Sequence, residues 1–475
     1  MPLIPRRVTP SAFRPFIPWL AVIALAVVAV VAPCLRAAES SSVEDRLRQL
    51  EARLSAVEQE NASLRRELGR PALSPPTPSA SPAATRLSVP PASPASPLAL
   101  RLTGDFRSRF SSVMYTAPEA VTRDQLLFQA RVGFVAQVSD TLEGGLRFTA
   151  GDLNSTFGGS PLSAQFASAD NSSRKQAYFD QLFFRWKPDL GANASAVFTL
   201  GKAANPFYVP SRVLFDNDYN PEGASEEFTF TLTPEHHVYL AAGQYVLDDL
   251  VAASTDPLLL AARARWDAQW QSPWSTSLGL SHLVITHPAA LTGANIANNE
   301  RGNTRTASGV LVHNYHPWVA EASVSRLFDH VPGYAGKFPV TFGAEFLRNP
   351  GAPAQHDAWS AALTLGRSGK AGQWEFGYRY VRVEADAWFE EMLEGDYGAF
   401  YRTVPPGWNT DPTSLAGGPA NGSNTRSHVF RSSYSPRDYL LFSANLFLND
   451  LARRLPGNAS DTGARRVQVE TLLRF

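Results

Sequence analysis

The chain has 475 residues, 43 Lys and Arg against 43 Asp and Glu, 18% charged and 44% hydrophobic residues, and a mean hydropathy of −0.17. The zero net charge excludes the basic excess that a nucleic-acid surface needs to release counter-ions, and the low hydropathy excludes a transporter built of many membrane helices. The single cysteine, Cys34, lies just after an N-terminal apolar run, so the body of the chain offers no disulfide, Cys-based zinc site or thiol nucleophile.

Residues 1–37 predict a secretory signal peptide. Arg6, Arg7 and Arg14 precede the apolar stretch Ile17 to Ala32, and the small residues Ala37 and Ala38 follow it. That stretch is short of the ~20 residues that span a bilayer as a helix. Cleavage is expected after Ala37. Pro33 argues against a lipid anchor on Cys34, where a small residue should precede the cysteine.

Residues 38–70 predict a coiled coil. Val43, Leu47, Leu50, Leu54, Val57, Asn61, Leu64 and Leu68 follow at steps of 4, 3, 4, 3, 4, 3 and 4, the a/d seam of a heptad. Asn61 falls at an a position, where a buried amide fixes register. A single amphipathic helix on another surface is the alternative, but a stripe this narrow suits self-association better. Gly69 and Pro71 end the helix, and residues 71–97, rich in Pro, Ala and Ser, read as an extended spacer.

Residues 98–475 predict an all-β body, a transmembrane antiparallel β-barrel of about 16 strands. In Leu100 to Phe110 the even positions include Leu100, Leu102, Phe106 and Phe110, and the odd ones are Arg101, Thr103, Asp105, Arg107 and Arg109. The same split recurs in Leu126 to Val138, Leu142 to Ala150, Leu258 to Trp270, Trp374 to Arg382 and Val467 to Phe475. Lipid on one face and water on the other require this alternation. A soluble sandwich alternates too, so the links arbitrate. Short links near 139–141, 187–194, 233–236, 271–274, 328–337, 367–372 and 435–437 alternate with mostly longer ones at 111–125, 151–175, 203–225, 247–257, 285–308, 348–355, 385–426 and 449–464. This is the asymmetry of tight turns at one barrel end and long loops at the other. The scheme reads Gly309 to Leu327 as one long strand despite Pro317, and Phe179 to Trp186 has ambiguous parity because Phe183 and Phe184 are adjacent. The last strand ends on an aromatic, Phe475, which resembles the assembly signal of bacterial outer-membrane proteins.

The segment Leu200 to Glu227, LGKAANPFYVPSRVLFDNDYNPEGASEE, resembles the bacterial putative-porin family, in which a G-K-x-x-N-P-F run precedes a D-x-D-x-N-P-E-G run. The resemblance extends to Leu363–Glu391 and to a heptad-bearing N-terminus; Leu393 to Ala399 departs from the family's Ser-Asp-Phe-type run, which leaves the role of that loop open. The resemblance implies a diffusion channel for small polar or ionic solutes in the outer membrane of a Gram-negative-type bacterium. The coiled coil would then lie in the periplasm, and likeness to other sixteen-strand porins implies a trimer. Expected partners are outer-membrane lipid, further copies of the chain, and a periplasmic or cell-wall component bound by the coiled coil; an envelope tether is the alternative function.

The candidate site is the third long loop. The spacing of Asp216, Asp218 and Asn220, with Glu227 twelfth, looks like the start of a calcium loop, but Pro221 stands where Gly is wanted and no flanking helices are predicted. No metal or cofactor is therefore assigned. Folded inward, Asp216, Asp218 and Glu222 would face the wall arginines Arg107, Arg131 and Arg147 across a pore constriction; at the rim, they would leave those arginines to Asp105 and Glu143. By parity the lumen carries Arg101, Arg107, Arg109, Arg131, Arg147, Arg263, Arg265, Arg379, Arg466 and Arg474 against Asp105, Glu143, Asp267, Glu345, Glu375 and Glu470, a weak anion lean. Enzyme signatures are missing: no G-x-S-x-G elbow occurs, His236/His237 and His313/His316 lack zincin spacing, and His282 on an apolar face reads as an interfacial residue.

Overall fold

A computed structural model describes residues 99–475 except 119, 152–165, 168–175, 208–212, 251–254, 271–272, 293–301, 402–417 and 455–460. The signal peptide, the coiled-coil seam and the spacer lie outside the described residues. The wall consists of β1 Ala99–Tyr115, β2 Arg123–Gln137, β3 Leu142–Gly151, β4 Gln176–Trp186, β5 Ala194–Lys202, β6 Glu222–Thr233, β7 His236–Val246, β8 Leu258–Gln269, β9 Trp274–Ile285, β10 Trp318–Phe328, β11 Phe338–Arg348, β12 Asp357–Gly366, β13 Gln373–Val383, β14 Thr425–Arg437, β15 Leu440–Leu451 and β16 Ala464–Arg474. Each pairs antiparallel with the next, and β16 returns to β1 from Asp105↔Arg474 to Tyr115↔Ala464. The sixteen strands close into a barrel, so the wall has no unpaired edge.

Closure is completed by Phe475, whose N–H donates to the Gly104 carbonyl while the Gly104 N–H donates back, both at 3.0 Å. A side chain at Gly104 would put its Cβ 2.4 Å from the Phe475 ring and 2.6 Å from the Arg131 carbonyl. Glycine is required there by close approach.

The period-two pattern sorts the faces as lipid and water demand. Leu100, Leu102, Phe106 and Phe110 are exposed on the outer face of β1, while Arg109, Ser111 and Val113 on its inner face are buried. Outward aromatics collect near the short turns (Trp186, Trp270, Trp274, Tyr439) and again near the long loops (Trp318, Phe346, Trp359), the two girdles of a bilayer-spanning barrel.

Three details differ from the sequence reading. The long strand expected from Gly309 to Leu327 is β10 alone, beginning at Trp318; Pro317 has no N–H for a ladder, and its carbonyl instead accepts from Leu283 at 3.1 Å. The long and short alternation survives, because 286–317 is one long link. The link expected at 111–125 is shorter, since the β1–β2 ladder continues to Val113↔Arg123. The parity of β4 changes at a bulge: Arg147 pairs with Gln181 and Phe148 with Phe179, leaving Asp180 as the extra residue. Asp180 and Gln181 therefore both point inward, and Phe183 follows them into the lumen over Gly145.

Candidate functional site

Three of the long links have described parts that do not stay at the rim. Segments 203–207, 213–221, 302–317 and 384–401 carry apolar runs that a solvated loop would not, among them Val213-Leu214-Phe215 and Ala387-Trp388-Phe389. These side chains form a hydrophobic core inside the barrel with the inner residues Tyr245, Leu259, Leu283, Leu347, Val383 and Phe447, which lie at the long-loop ends of their strands. Burial of Trp388, Tyr315, Tyr397, Phe207 and Phe215 contributes roughly 1.5–3 kcal/mol per large apolar side chain, enough to hold the links inside.

Polar contacts fix their arrangement. The Asn303 amide donates to the carbonyls of Ala385 (2.6 Å) and Trp388 (2.8 Å), and its oxygen accepts from the Glu390 N–H at 2.9 Å. Arg305 meets Glu390 at 2.6 Å with both side chains fully buried, and its remaining N–H groups reach the carbonyls of Leu291 (2.9 Å) and Gly309 (2.7 Å). Asp386 accepts from the Thr304 hydroxyl (2.6 Å) and N–H (2.8 Å) and from the Tyr315 hydroxyl (3.3 Å). A desolvated ion pair persists only when its other hydrogen-bonding capacity is met, as it is here.

From this support two carboxylates reach the wall. Asp218 lies between Arg131 of β2 (3.2 Å) and Arg107 of β1 (3.8 Å). Asp396 receives Arg466 (2.5 Å) and Gln468 (2.8 Å) of β16 and lies 4.0 Å from Arg109 of β1. The three strands are neighbours, so Arg131, Arg107, Arg109 and Arg466 form one positive tract answered by two loops. Asp105 also accepts from Arg131 at 2.9 Å, and Glu470 pairs with Arg109. Both arrangements considered from sequence, loop acid on wall arginine and wall acid on wall arginine, therefore coexist at Arg131.

The other expected residues are placed differently. Asp216 meets no arginine among the described residues: its oxygens accept the N–H groups of Asp218 (2.8 Å) and Gly395 (3.2 Å), and its own N–H donates to the Met392 carbonyl (2.7 Å). It clips two loops together. Burial, then the nearby charges of Glu394 and Asp218, push its carboxyl well above the usual range. Glu222 opens β6 on the outward parity, exposed and paired with Lys202 at 2.6 Å; it does not face the wall arginines. Arg147 pairs with Asp180 rather than with the loop. Asn220 bridges wall and loop, donating to Asp180 (2.9 Å) and accepting from Gln181 (2.7 Å). Glu227 takes the Tyr239 hydroxyl at 2.6 Å from within the wall, so the Asp216, Asp218, Asn220 and Glu227 oxygens do not converge as a calcium loop would require. Glu143 holds Arg185 and Lys187, each at 2.8 Å. His282 stacks on Trp318 with ring centroids 4.2 Å apart and points outward.

Asp396, Glu390, Arg305 and Asn303 were not singled out from sequence. Apolar runs within predicted loops were the available signal, since Trp388-Phe389 and Met392-Leu393 bracket the carboxylates that organise the plug. Likewise Asp180, Glu227 and Glu321 are inward carboxylates, and Arg185 and Arg431 inward arginines, that extend the lumen set.

Residues 104–278 match the family described as Putative porin. No curated protein matches the chain. Among solved structures, Pseudomonas putida OprB at high pH is similar with a TM-score of 0.44 and 13% identity, covering 79% of this chain and 94% of that one. OmpT of Vibrio cholerae lacking loop L8 gives 0.39 and 12%, over 80% and 99%, and a mutant of the Rh. blastica porin gives 0.41 and 8%, over 79% and 100%. The barrel assignment does not depend on these likenesses, because the strand pairing closes by itself. The family match and the closed barrel together support an outer-membrane channel.

Proposed function

We propose that the protein is an outer-membrane porin, a non-enzymatic channel for passive diffusion of small polar or ionic solutes with a mild preference for anions. The observation that carries this reading is the charged waist, in which Asp218 and Asp396 on two inward loops oppose four arginines on three adjacent strands. Opposed fixed charges in a lipid-insulated lumen filter and orient solutes without any chemical step. On this reading the long loops face outward from the cell, and the heptad segment 38–70 lies in the periplasm on its 71–97 spacer. The seam from Val43 to Leu68 suits self-association, the likeness to sixteen-strand porins suggests a homotrimer, and the segment allows a second role as an envelope tether through a periplasmic or cell-wall partner.

Reconstitution in a planar bilayer tests this directly. Stepwise ohmic conductance is expected from the whole protein, together with swelling of proteoliposomes in small sugars. Removal of residues 39–97 should leave single-channel conductance unchanged; absence of conductance from folded protein would end the channel reading.

A further inference from the structure

Below the inward loops, on the wall from β8 to β13, the lumen is recessed. A cavity of about 260 Å³ lies over Ser323, Thr341, Gly343, Ala362 and Thr364, flanked by Arg263 and Arg265 on one side and Arg379 on the other. Its floor is shallow because small residues repeat on the inner face of successive strands: Ser277, Ser323, Gly343 and Ala362.

The charges around it are not equivalent. Arg263 is neutralised by Glu321, whose Oε1 takes its Nε at 3.0 Å. That pair depends on Gly279, where a Cβ would come within 2.1 Å of the Glu321 carboxylate. Arg265 donates to Asp267 at 3.0 Å, and Asp267 also accepts from Ser277 at 2.6 Å. Arg379 has no carboxylate partner among the described residues, and its Nε is buried without a hydrogen bond. Arg379 as a whole is only partly buried, and its terminal N–H groups, which meet no carboxylate among the described residues, are the donors that an anion in the lumen can reach. The hydroxyls of Ser323 and Thr364 likewise have no partner among the described residues, whereas Thr341 is held by Ser325 at 2.9 Å.

We infer that this recess is a binding subsite for a small hydroxylated monocarboxylate, of the sugar-acid or hydroxy-acid class. The carboxylate pairs with Arg379, two donors of its planar guanidinium meeting two oxygens, and the hydroxyls of the ligand meet Ser323 and Thr364. The volume suits a molecule of about six carbons, below the usual range for larger ligands. One unpaired cation matches one negative charge; Glu321 and Asp267 nearby oppose a dianion. No aromatic, Leu, Ile or Val side chain lines the cavity, so the apolar contacts open to a ligand are only those of small residues such as Ala362 and Gly343. This inference rests on the channel reading, since it places a waypoint in the lumen.

The test is equilibrium binding to the detergent-solubilised full chain at low salt, which requires no conductance and so can fail independently of that reading. Gluconate is expected to bind saturably. Glucose, with the hydroxyls but no charge, and hexanoate, with the charge but no hydroxyls, should bind at least ten-fold more weakly. Arg379→Gln should weaken gluconate at least ten-fold, and Thr364→Val should weaken gluconate several-fold while leaving hexanoate unchanged. If Arg379→Gln loses the heat-modifiable migration of a folded barrel, Thr364→Val carries the test alone. Absence of saturable gluconate binding, equal binding of hexanoate, or unchanged gluconate binding by folded variants would overturn the inference.

Discussion

Neutralising Asp218 should make the channel more anion-selective by an amount the structure fixes. In Asp218→Asn, Arg131 keeps Asp105 at 2.9 Å, but Arg107 loses the carboxylate 3.8 Å away. One unpaired positive charge is thus added to the waist. A permeating ion about 10 Å from it in water feels roughly 0.4 kcal/mol unscreened, and about 0.15 kcal/mol after one Debye length at 0.1 M salt. Anions gain what cations lose, so the permeability ratio should move about 1.7-fold at 0.1 M and about 3-fold at 0.01 M, where the Debye length is about 30 Å. Under a ten-fold salt gradient this is a reversal-potential shift of about 10 mV toward anions at the higher ionic strength, growing as salt falls. Glu222→Gln is the control: its carboxylate lies on the outward parity against Lys202, and the reversal potential should not move. A shift toward cations, no shift at 0.01 M, or an equal shift in the control would refute a waist set by Asp218.

Gly104→Val should impair barrel closure, because the new side chain meets the Phe475 ring and the Arg131 carbonyl; overpacking of this kind costs about 1–3 kcal/mol, visible as a lower temperature for loss of heat-modifiable migration on gels. Conductance should depend on pH in two opposite limbs. The raised carboxyl of Asp216 gives loop docking a contribution fully present below its ordinary value of 3.8 and lost as pH rises through the raised one. At Asp396, burial acts to raise the carboxyl, but Arg109 and Arg466 outweigh it and hold it below 3.8, so its contribution is present above 3.8 and lost as pH falls through the depressed value. Docking is therefore tightest above 3.8 and below the raised Asp216 value; conductance should be lowest there and rise as pH climbs through that raised value, and Asp216→Asn should flatten that rise in bilayer recordings. The isolated segment from residue 43 to residue 68 should sediment as an oligomer in analytical ultracentrifugation, and a monomer at high micromolar concentration would leave only the amphipathic-helix reading.

The wall was legible because a membrane barrel imposes one decision per residue, lipid or lumen, and the sequence repeats it strand after strand. Where that rule is locally suspended, parity misleads. The adjacent Phe183 and Phe184 marked the bulge without revealing that Asp180 is the extra residue. Pro317 marked the true start of β10. Inside the barrel no period operates, since three links pack against one another and against a curved wall, and contacts such as Asn303 with Ala385 join residues 82 apart in the chain. Asp218 could be found because it sits in a recognisable motif. Asp396 could not, because its value comes from Arg466 and Gln468, which no spacing ties to it.

The two loop acids couple pore width to pore charge. Asp218 and Asp396 occupy the space in front of the arginine tract and also neutralise it. Any displacement of segment 384–401 that widens the waist must take Asp396 away from Arg466 and Arg109, exposing positive charge to the solution at the same moment. The clip between Asp216 and the Gly395 N–H makes the two loops partners in that displacement, because one cannot recede far without breaking the 3.2 Å bond to the other. Wider states of the channel are then more anion-selective ones. Simultaneous recording of conductance and reversal potential across the upper limb of the pH profile, where Asp216 ionises, would show the two rising together; if conductance rises while selectivity stays fixed, the loops move without leaving the arginines.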